Sequence, residues 1–326
     1  MPVRVIPHTH SMSTAAHRRA VLEALLVTFL WSTSWVLIKL GLRADLPSLT
    51  FAGLRYCLAF VCLLPWLLGS PEHRATLRRL PRALWGQLLL YGIISYAVAQ
   101  GAQFFSLGLL PSATVSLVLN LSPLAVAGLA AGLTRERPAG WQWVGVGLSA
   151  AGTLLYFLPL NLAGAGLVGL LAAGVGMLAN AGASILGRAI NARSGLSPLV
   201  VTTLSMGLGS WPMLAAGWLW QGPATLGPLQ WAIIAWLAVV NTALAFTLWN
   251  RTLQTLSAVE SSLMANTMLP QIVLLTWLCL GEAVGVKGII GLVLVTLGVA
   301  LVQWSSSGAQ GAARDEGPGV PQASGE

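Results

Sequence analysis

Charged residues are scarce in this sequence. They make up 8% of its 326 residues, whereas 56% of the residues are apolar and the mean hydropathy is strongly positive. Soluble domains carry about 25% charged residues. A water-soluble fold could not bury this much apolar surface, so the composition excludes an ordinary soluble protein and predicts an all-helical protein that crosses a membrane several times.

Residues with metal-binding or catalytic chemistry are also few. Cys57, Cys62 and Cys279 fall inside apolar runs without metal-ligand spacing, and all four histidines lie outside such runs. The phosphate-loop patterns GxxxxGKS and GxxxxGKT are absent, and no polar segment is long enough to form a nucleotide-binding domain. We therefore expect neither an enzyme nor an ATP-driven pump, and the sequence predicts no cofactor and no metal site.

The net charge of +8 comes from basic residues in short clusters between the apolar runs. This distribution does not indicate a nucleic-acid partner, because it does not build one basic face. It is typical of membrane topology, in which basic residues concentrate on the cytoplasmic side. With both termini placed in the cytoplasm, only Arg43 and Lys287 lie on the outer side. The sequence thus predicts a multi-pass protein of the cell (inner) membrane with both termini cytoplasmic.

Ten apolar runs are long enough to cross the hydrocarbon core, which takes about 20 residues of helix. They cover approximately residues 21–41, 49–69, 84–107, 112–133, 140–158, 165–187, 197–220, 229–249, 258–280 and 286–304. Two polar segments flank them. We expect residues 1–19 to form a cytoplasmic tail, and residues 305–326, which are rich in Gly, Ser, Ala and Pro, to form a disordered cytoplasmic tail.

The two halves of the sequence resemble each other. The segment that begins at Asn120 aligns with the one that begins at Asn266, with one residue of slippage. The aligned pairs are Pro123 with Pro270, Glu136 with Glu282, Gly145 with Gly291, and Gly152 with Gly298. A weaker match pairs residues 31–39 with 180–188. We therefore predict two five-helix units, residues 20–158 and 164–304, and an odd helix number makes the repeats inverted in the membrane.

Several short motifs in this framework resemble the drug/metabolite transporter superfamily, and its EamA-type two-repeat branch in particular. They are RERP at residues 135–138, LGE at 280–282, GLR at 53–55, the proline before each helix-4 and helix-9 ending, and the glycine pattern of helices 5 and 10. The resemblance covers about residues 20–304. It implies a secondary transporter of the cytoplasmic membrane that moves a small metabolite, commonly an amino acid or related compound outward, by alternating access. The implied partners are a small-molecule substrate and the lipid bilayer.

Arg55 is the main functional candidate among the ionisable residues, because a charge inside the membrane is expensive unless it faces protein or water. It lies about seven residues into helix 2, between Leu54 and Tyr56. One hypothesis is that its guanidinium holds an anionic group of the substrate through two hydrogen bonds. The other is that it lies near the outer interface and pairs with Asp45 or with backbone carbonyls.

Uncharged polar and aromatic residues in mid-helix form a second set of substrate-binding candidates. They are Trp31, Ser34 and Trp35 in helix 1, Gln100 and Gln103 in helix 3, Asn120 in helix 4, Asn180 in helix 6, Asn241 in helix 8 and Asn266 in helix 9. Any one such residue more often bonds to a neighbouring helix than to a ligand. Repeat symmetry favours Trp31 with Asn180, and Asn120 with Asn266.

Pro123 and Pro270 predict paired helix breaks, since each proline lacks a backbone donor and frees a carbonyl in mid-helix. Paired breaks in the two halves indicate a transporter site at mid-membrane depth. We therefore predict a cavity between helices 1, 3, 4, 6, 8 and 9. The sequence leaves open the coupling ion, the oligomeric state, and the alternative of a channel or a non-transport membrane scaffold.

Overall fold

A computed structural model describes residues 14–41, 47–110, 112–133, 139–158, 166–223, 225–280 and 285–315. Within these ranges every regular element is a helix, which confirms the predicted all-helical class. Six helical stretches in the described part are long and apolar enough to cross a membrane. They are Ser48–Gly69, Arg82–Leu109, Thr114–Gly132, Leu167–Arg193, Pro198–Gln221 and Pro228–Thr252.

The other four predicted spans are not among these six, so the count of ten spans stays a prediction. The helix that begins at Gly140 is less apolar because it contains tryptophan, glutamine and glycine. The described apolar part of the last predicted span is Val286–Val302.

The first half of the chain contains eight α-helices and one π-helical segment within the described residues. They are α1 (Thr14–Gly41), α2 (Ser48–Gly69), α3 (Pro71–Arg79), α4 (Arg82–Gly92), π1 (Ile93–Gln100), α5 (Gly101–Leu109), α6 (Ser112–Asn120), α7 (Ser122–Leu133) and α8 (Gly140–Phe157). Helix α3 is a short polar connection whose N-cap, Ser70, accepts a hydrogen bond from the backbone of His73.

The second half has a similar order of helices, with a π-helical segment in its third span. It contains α9 (Leu167–Arg193), α10 (Pro198–Gln221), α11 (Pro228–Ala238), π2 (Val239–Leu244), α12 (Ala245–Thr252), α13 (Ala258–Asn266), α14 (Met268–Leu280) and α15 (Val286–Asp315). Helix α1 starts inside the segment predicted as an N-terminal tail. Helix α15 continues to Asp315, past the predicted start of a disordered tail.

Two helix pairs join the halves through glycines. In the pair α8 and α15, Gly145 faces Gly298 and Gly152 faces Gly291, so the two helices run antiparallel. In the pair α2 and α10, the facing residues are Gly53 with Leu214, Gly207 with Phe60, and Gly217 with Thr50. Because glycine has no side chain, the backbones approach closely, and the remaining helices pack around these two pairs.

Helices α6 and α13 both end shortly before a proline. The chain turns at Leu121 and at Thr267 before α7 and α14 begin. Pro123 cannot donate to the carbonyl of Leu119, and the hydroxyl of Ser122 donates to that carbonyl instead, at 2.5 Å. The freed backbone group is thus paired inside the protein, as the membrane interior requires.

Candidate functional site

Arg55 lies inside the protein, where α2 meets π2. Its side chain is only 4% exposed. The guanidinium donates from Nε to Thr242 Oγ1 at 2.7 Å and from Nη2 to the carbonyl of Asn241 at 3.3 Å. A backbone carbonyl is thus one of its partners, and a contact between Arg55 and a substrate stays a prediction. Asp45, the other partner considered, lies outside the described residues.

The positive charge of Arg55 has no counter-ion among the described residues. A guanidinium has five N–H donors, and here two hydrogen bonds to neutral groups account for its protein contacts. The ring of Tyr56 lies 5.4 Å from Cζ and gives a weak electrostatic attraction. Burial of a charge without an ionic partner is costly, so the geometry leaves Arg55 with unused capacity to bind an anion.

The segment π2 presents these acceptors to Arg55. In a π-helix the hydrogen bonds reach one residue further than in an α-helix, and such segments occur frequently at functional sites. Thr242 uses its hydroxyl twice: it accepts from Arg55 and donates to the carbonyl of Leu237 at 2.8 Å. Segment π1 occupies the same place in the third helix of the first half. Neither segment contains glycine or proline, so no residue type in the sequence indicates their presence.

Five aromatic side chains surround this place and are called the aromatic cluster below. Their ring centroids are 5.1 Å apart for Trp31 and Phe246, 5.0 Å for Trp31 and Trp249, 5.6 Å for Tyr56 and Tyr96, 5.8 Å for Tyr56 and Phe246, and 5.3 Å for Tyr96 and Phe246. They come from α1, α2, π1 and α12, so four helices of both halves meet here. Only Trp31 was a sequence-based candidate, because ring contacts between distant segments leave no local pattern.

Three buried polar atoms in the same region have no hydrogen-bond partner in the described part of the chain. They are the indole nitrogen Nε1 of Trp31, the amide oxygen Oδ1 of Asn241 and the hydroxyl of Tyr96. The amide nitrogen of Asn241 donates to the carbonyl of Leu30 and to Thr33 Oγ1, the latter at 3.1 Å. These acceptors fix which side of the amide faces α1. An unpaired N–H, an unpaired amide oxygen and an unpaired hydroxyl therefore lie at the aromatic cluster, together with the guanidinium of Arg55.

Of the two asparagines before the helix breaks, Asn266 bonds to the other half and Asn120 bonds within its own helix. Asn266 donates from Nδ2 to the carbonyl of Asn120 at 2.8 Å and to Ser149 Oγ at 3.2 Å. Asn120 donates its own amide to the carbonyl of Ser116 at 2.7 Å. Both side chains thus serve helix-to-helix and intrahelical bonds in this structure. A substrate contact by either one stays a prediction.

The other predicted site residues lie apart from this group or have intrahelical bonds. The hydroxyl of Ser34 donates to the carbonyl of Trp31 at 2.6 Å. Gln100, Gln103 and Asn180 are half-buried, and their side chains make no hydrogen bond with the described residues. Trp35 belongs to α1, but its side chain lies outside the described part, as do Glu136 and Glu282. A substrate-binding role for these residues also stays a prediction.

Asn250 organises a polar network one turn beyond the aromatic cluster. Its Oδ1 accepts from Tyr91 at 3.2 Å and from Asn191 at 2.7 Å, and its Nδ2 donates to Thr202 Oγ1 and to the carbonyl of Phe246, both at 3.0 Å. All hydrogen-bonding positions of this amide are used, so the residue has a structural role. It ties α12 to α4, α9 and α10.

The described residues contain no group of three or more histidine, cysteine, aspartate or glutamate side chains that could hold a metal ion. Among the described residues, the site offers a buried cation, an unpaired indole N–H, an unpaired amide oxygen, an unpaired hydroxyl and aromatic rings. This set can recognise a small molecule with an anionic group.

Comparisons with known proteins point to transporters. The sequence profile described as the EamA-like transporter family matches residues 18–158 and 167–304. An uncharacterized transporter of Synechocystis sp. is 26% identical over 256 residues, or 72% of this chain and 74% of that protein. The uncharacterized transporter YyaM of Bacillus subtilis is 26% identical over 195 residues, or 56% of this chain and 62% of that protein. A solved crystal structure with 20% identity covers 88% of this chain and 98% of its own with a TM-score of 0.71, which shows a shared fold.

Proposed function

We propose, from the premise that this chain belongs to the EamA-like transporter family, that it is a secondary carrier for a small metabolite with a carboxylate group, such as an amino acid or a related compound. The family assignment agrees with the resemblance inferred from the motifs. In our proposal the carrier works in the cytoplasmic membrane by alternating access and moves its substrate outward, the direction common in the family it resembles.

The proposed architecture is ten spans in two inverted repeats. The contacts of α8 and α15 support it. In the repeat alignment Gly145 corresponds to Gly291 and Gly152 to Gly298, while in space Gly145 faces Gly298 and Gly152 faces Gly291. Corresponding residues exchange places across the contact, as two antiparallel helices related by a two-fold axis in the membrane plane would do. The excess of basic residues on one side supports cytoplasmic termini.

The observation that carries the proposal is the buried guanidinium of Arg55 without an ionic partner among the described residues. A substrate carboxylate would supply that partner and could accept two parallel hydrogen bonds. Ionisable residues at this depth are functional candidates, because a charge inside the membrane is costly and is rare there without a function. Arg55 also lies where α2 of one half meets π2 of the other, which is where a carrier with two repeats places its substrate.

The unpaired atoms near Arg55 support a substrate with more than one polar group. The indole N–H of Trp31 can donate to a second oxygen of an anion, and Oδ1 of Asn241 can accept from an ammonium or amide group. The aromatic cluster offers apolar faces to the rest of the molecule and keeps bulk water away from the charge. These requirements fit a small carboxylate with a nearby N–H donor.

The test begins with the purified protein and pairs of ligands that differ only at the carboxylate, for example amino acids and their amides. A ligand that binds only the folded state raises the unfolding temperature by mass action. We expect stabilisation by one class of acids and none by the matched amides, and we expect saturable uptake of the stabilising acid into liposomes. Equal stabilisation by an acid and its amide would contradict the role of Arg55, and flux linear in concentration would indicate a channel.

The variant Arg55→Gln tests the residue itself. We expect loss of acid-dependent stabilisation and of transport, with an unfolding temperature without ligand equal to or above that of the unmodified protein, because an unpaired buried charge is removed. Arg193→Gln is the matched control, since Arg193 is exposed at the end of α9. Normal transport by Arg55→Gln would end the proposal.

A further inference from the structure

We propose that Glu23 and Arg251 form the gate that closes the substrate path at the end of the bundle where α1 begins. Arg251 Nε lies 3.6 Å from Glu23 Oε2. The two residues belong to different halves, since Glu23 lies in the first segment matched by the family profile and Arg251 in the second. The inference rests on the proposed carrier function, because only a carrier has to part its halves at one end and rejoin them.

The seam between α1 and α12 leads from this ion pair to the candidate site. Inward from Glu23 and Arg251, the seam continues through a buried cluster that contains Ala24 and Val27 and reaches the rings of Trp249 and Trp31, which are 5.0 Å apart. After it come the rings of Phe246 and Trp31, and then the bond from the amide of Asn241 to the backbone of α1. The last contact adjoins the carbonyl that Arg55 binds. Separation of α1 from α12 at the ion pair would therefore open a path to the site.

Each charge of this pair keeps another favourable interaction when the contact between Glu23 and Arg251 breaks. Glu23 keeps a second partner on its own helix, because Arg19 Nε lies 2.9 Å from Glu23 Oε1. The side chain of Arg251 is 45% exposed and can be solvated by water alone. An exposed ion pair of this kind is weak. A weak contact suits a gate, since both the open and the closed state must be populated during each cycle.

Arg188 keeps the Arg251 side of the gate in place. Its Nη1 donates to the carbonyls of Leu253 and Gln254, each at 2.9 Å, and these carbonyls belong to the turn that follows α12. Helices α9 and α12 are thus joined within the second half, next to Arg251. Within the described residues, α1 is bonded to α14 at Thr28 and Ser32. The end of α1 that precedes these bonds, which carries Glu23, is therefore the part that moves.

The gate is tested by the accessibility of a reporter cysteine. The reporter is Thr247→Cys, one turn inward of Arg251 on α12, in a protein whose native cysteines have been replaced by alanine. Its labelling rate with a membrane-impermeant maleimide is measured in the purified protein. Glu23→Arg and Arg251→Glu each place like charges opposite each other, and each should raise the rate about five- to tenfold, whereas the double reversal should restore it.

The matched control is Arg19→Gln, which removes a neighbouring charge on α1 without touching Arg251 and should leave the rate within about twofold. If a charge reversal prevents folding, Glu23→Gln and Arg251→Gln take its place, with an expected rise of about two- to threefold. Unchanged labelling in the single variants, or a double reversal no better than the singles, would overturn the gate. Acid-dependent stabilisation measured in the same variants keeps this outcome separate from failure of the proposed function.

Discussion

Two of the seams that join the halves of this protein differ in the groups that form the contact. Along α8 and α15 the contact is backbone against backbone: a Cβ added at Gly152 would lie 2.6 Å from the carbonyl oxygen of Gly291, and one added at Gly298 equally close to that of Gly145. Along α1 and α12 the contact consists of aromatic rings, an amide and an ion pair.

The difference indicates that the two seams have different roles in the transport cycle. A glycine seam has no rotamers and no spare volume, so it has a single way to pack and holds the halves together. A seam of side chains can be broken and remade, because rings and charged groups find water or other partners when they separate. In our interpretation, the first seam is the fixed axis of the carrier and the second is the part that moves.

The largest expected effect is on the fixed seam. Gly152→Leu places a side chain against the backbone of α15, where no flexible group can yield, and should lower the free energy of unfolding by about 3 kcal/mol or more. Thermal unfolding and the yield of monodisperse protein measure this. Gly147→Ala on the same helix is the control, since nothing lies within 4 Å of its added Cβ. Normal stability of Gly152→Leu would mean that this seam is loose.

A smaller loss is expected for Asn250→Leu, on the helix that forms the second seam. The change leaves the donors of Tyr91 and Asn191 unpaired in a buried site, and it should cost about 1 to 3 kcal/mol of stability. Thr247→Val, which removes one intrahelical bond on the same helix, should cost less than about 0.5 kcal/mol. Similar losses in both variants would show that the hydrogen bonds of Asn250 contribute no more to stability than one intrahelical bond.

Trp31→Phe removes the unpaired indole N–H but keeps an aromatic ring in the seam between α1 and α12. Stability should stay within about 1 kcal/mol of the unmodified protein. Affinity for the stabilising acid should fall about tenfold, because one hydrogen bond to a charged group is lost. Titration of the unfolding temperature with ligand gives both numbers. Trp277→Phe, at an exposed position, is the control, and unchanged affinity in Trp31→Phe would remove Trp31 from the site.

The smallest effect on stability is expected at the ion pair of the moving seam. Arg251→Gln should change the free energy of unfolding by no more than about 1 kcal/mol, because the pair is exposed. The same change should still alter the accessibility of the reporter cysteine. A large loss of stability would instead show that the ion pair stabilises the fold. The two seams would then not differ in the way we infer.

Much of the fold could be predicted because membrane helices leave local signals. The helix that contains Arg55 was predicted at residues 49–69 and occupies Ser48–Gly69. The breaks near Pro123 and Pro270 follow from the missing backbone donor of proline. Segments π1 and π2 could not be predicted, since no residue type inside them differs from those of an ordinary helix.

The candidate site was predictable only in part. The position of Arg55 inside a span identified it, because burial of a charge is costly whatever its neighbours are. The sequence could not tell that the amide oxygen of Asn250 accepts two hydrogen bonds while that of Asn241 accepts none from the described residues. Both are amides in mid-helix, and only their distance from donors on other helices separates them.

The sequence by itself determined that this chain is a helical membrane protein of two related halves, because hydropathy, proline and glycine spacing act within a single helix or a single repeat. Tertiary structure alone decided which polar groups meet. The bond from Arg55 to Thr242 joins residues that are 187 positions apart, and the aromatic cluster draws on four helices of both halves. Such contacts depend on how the helices pack, and packing is a property of the whole chain.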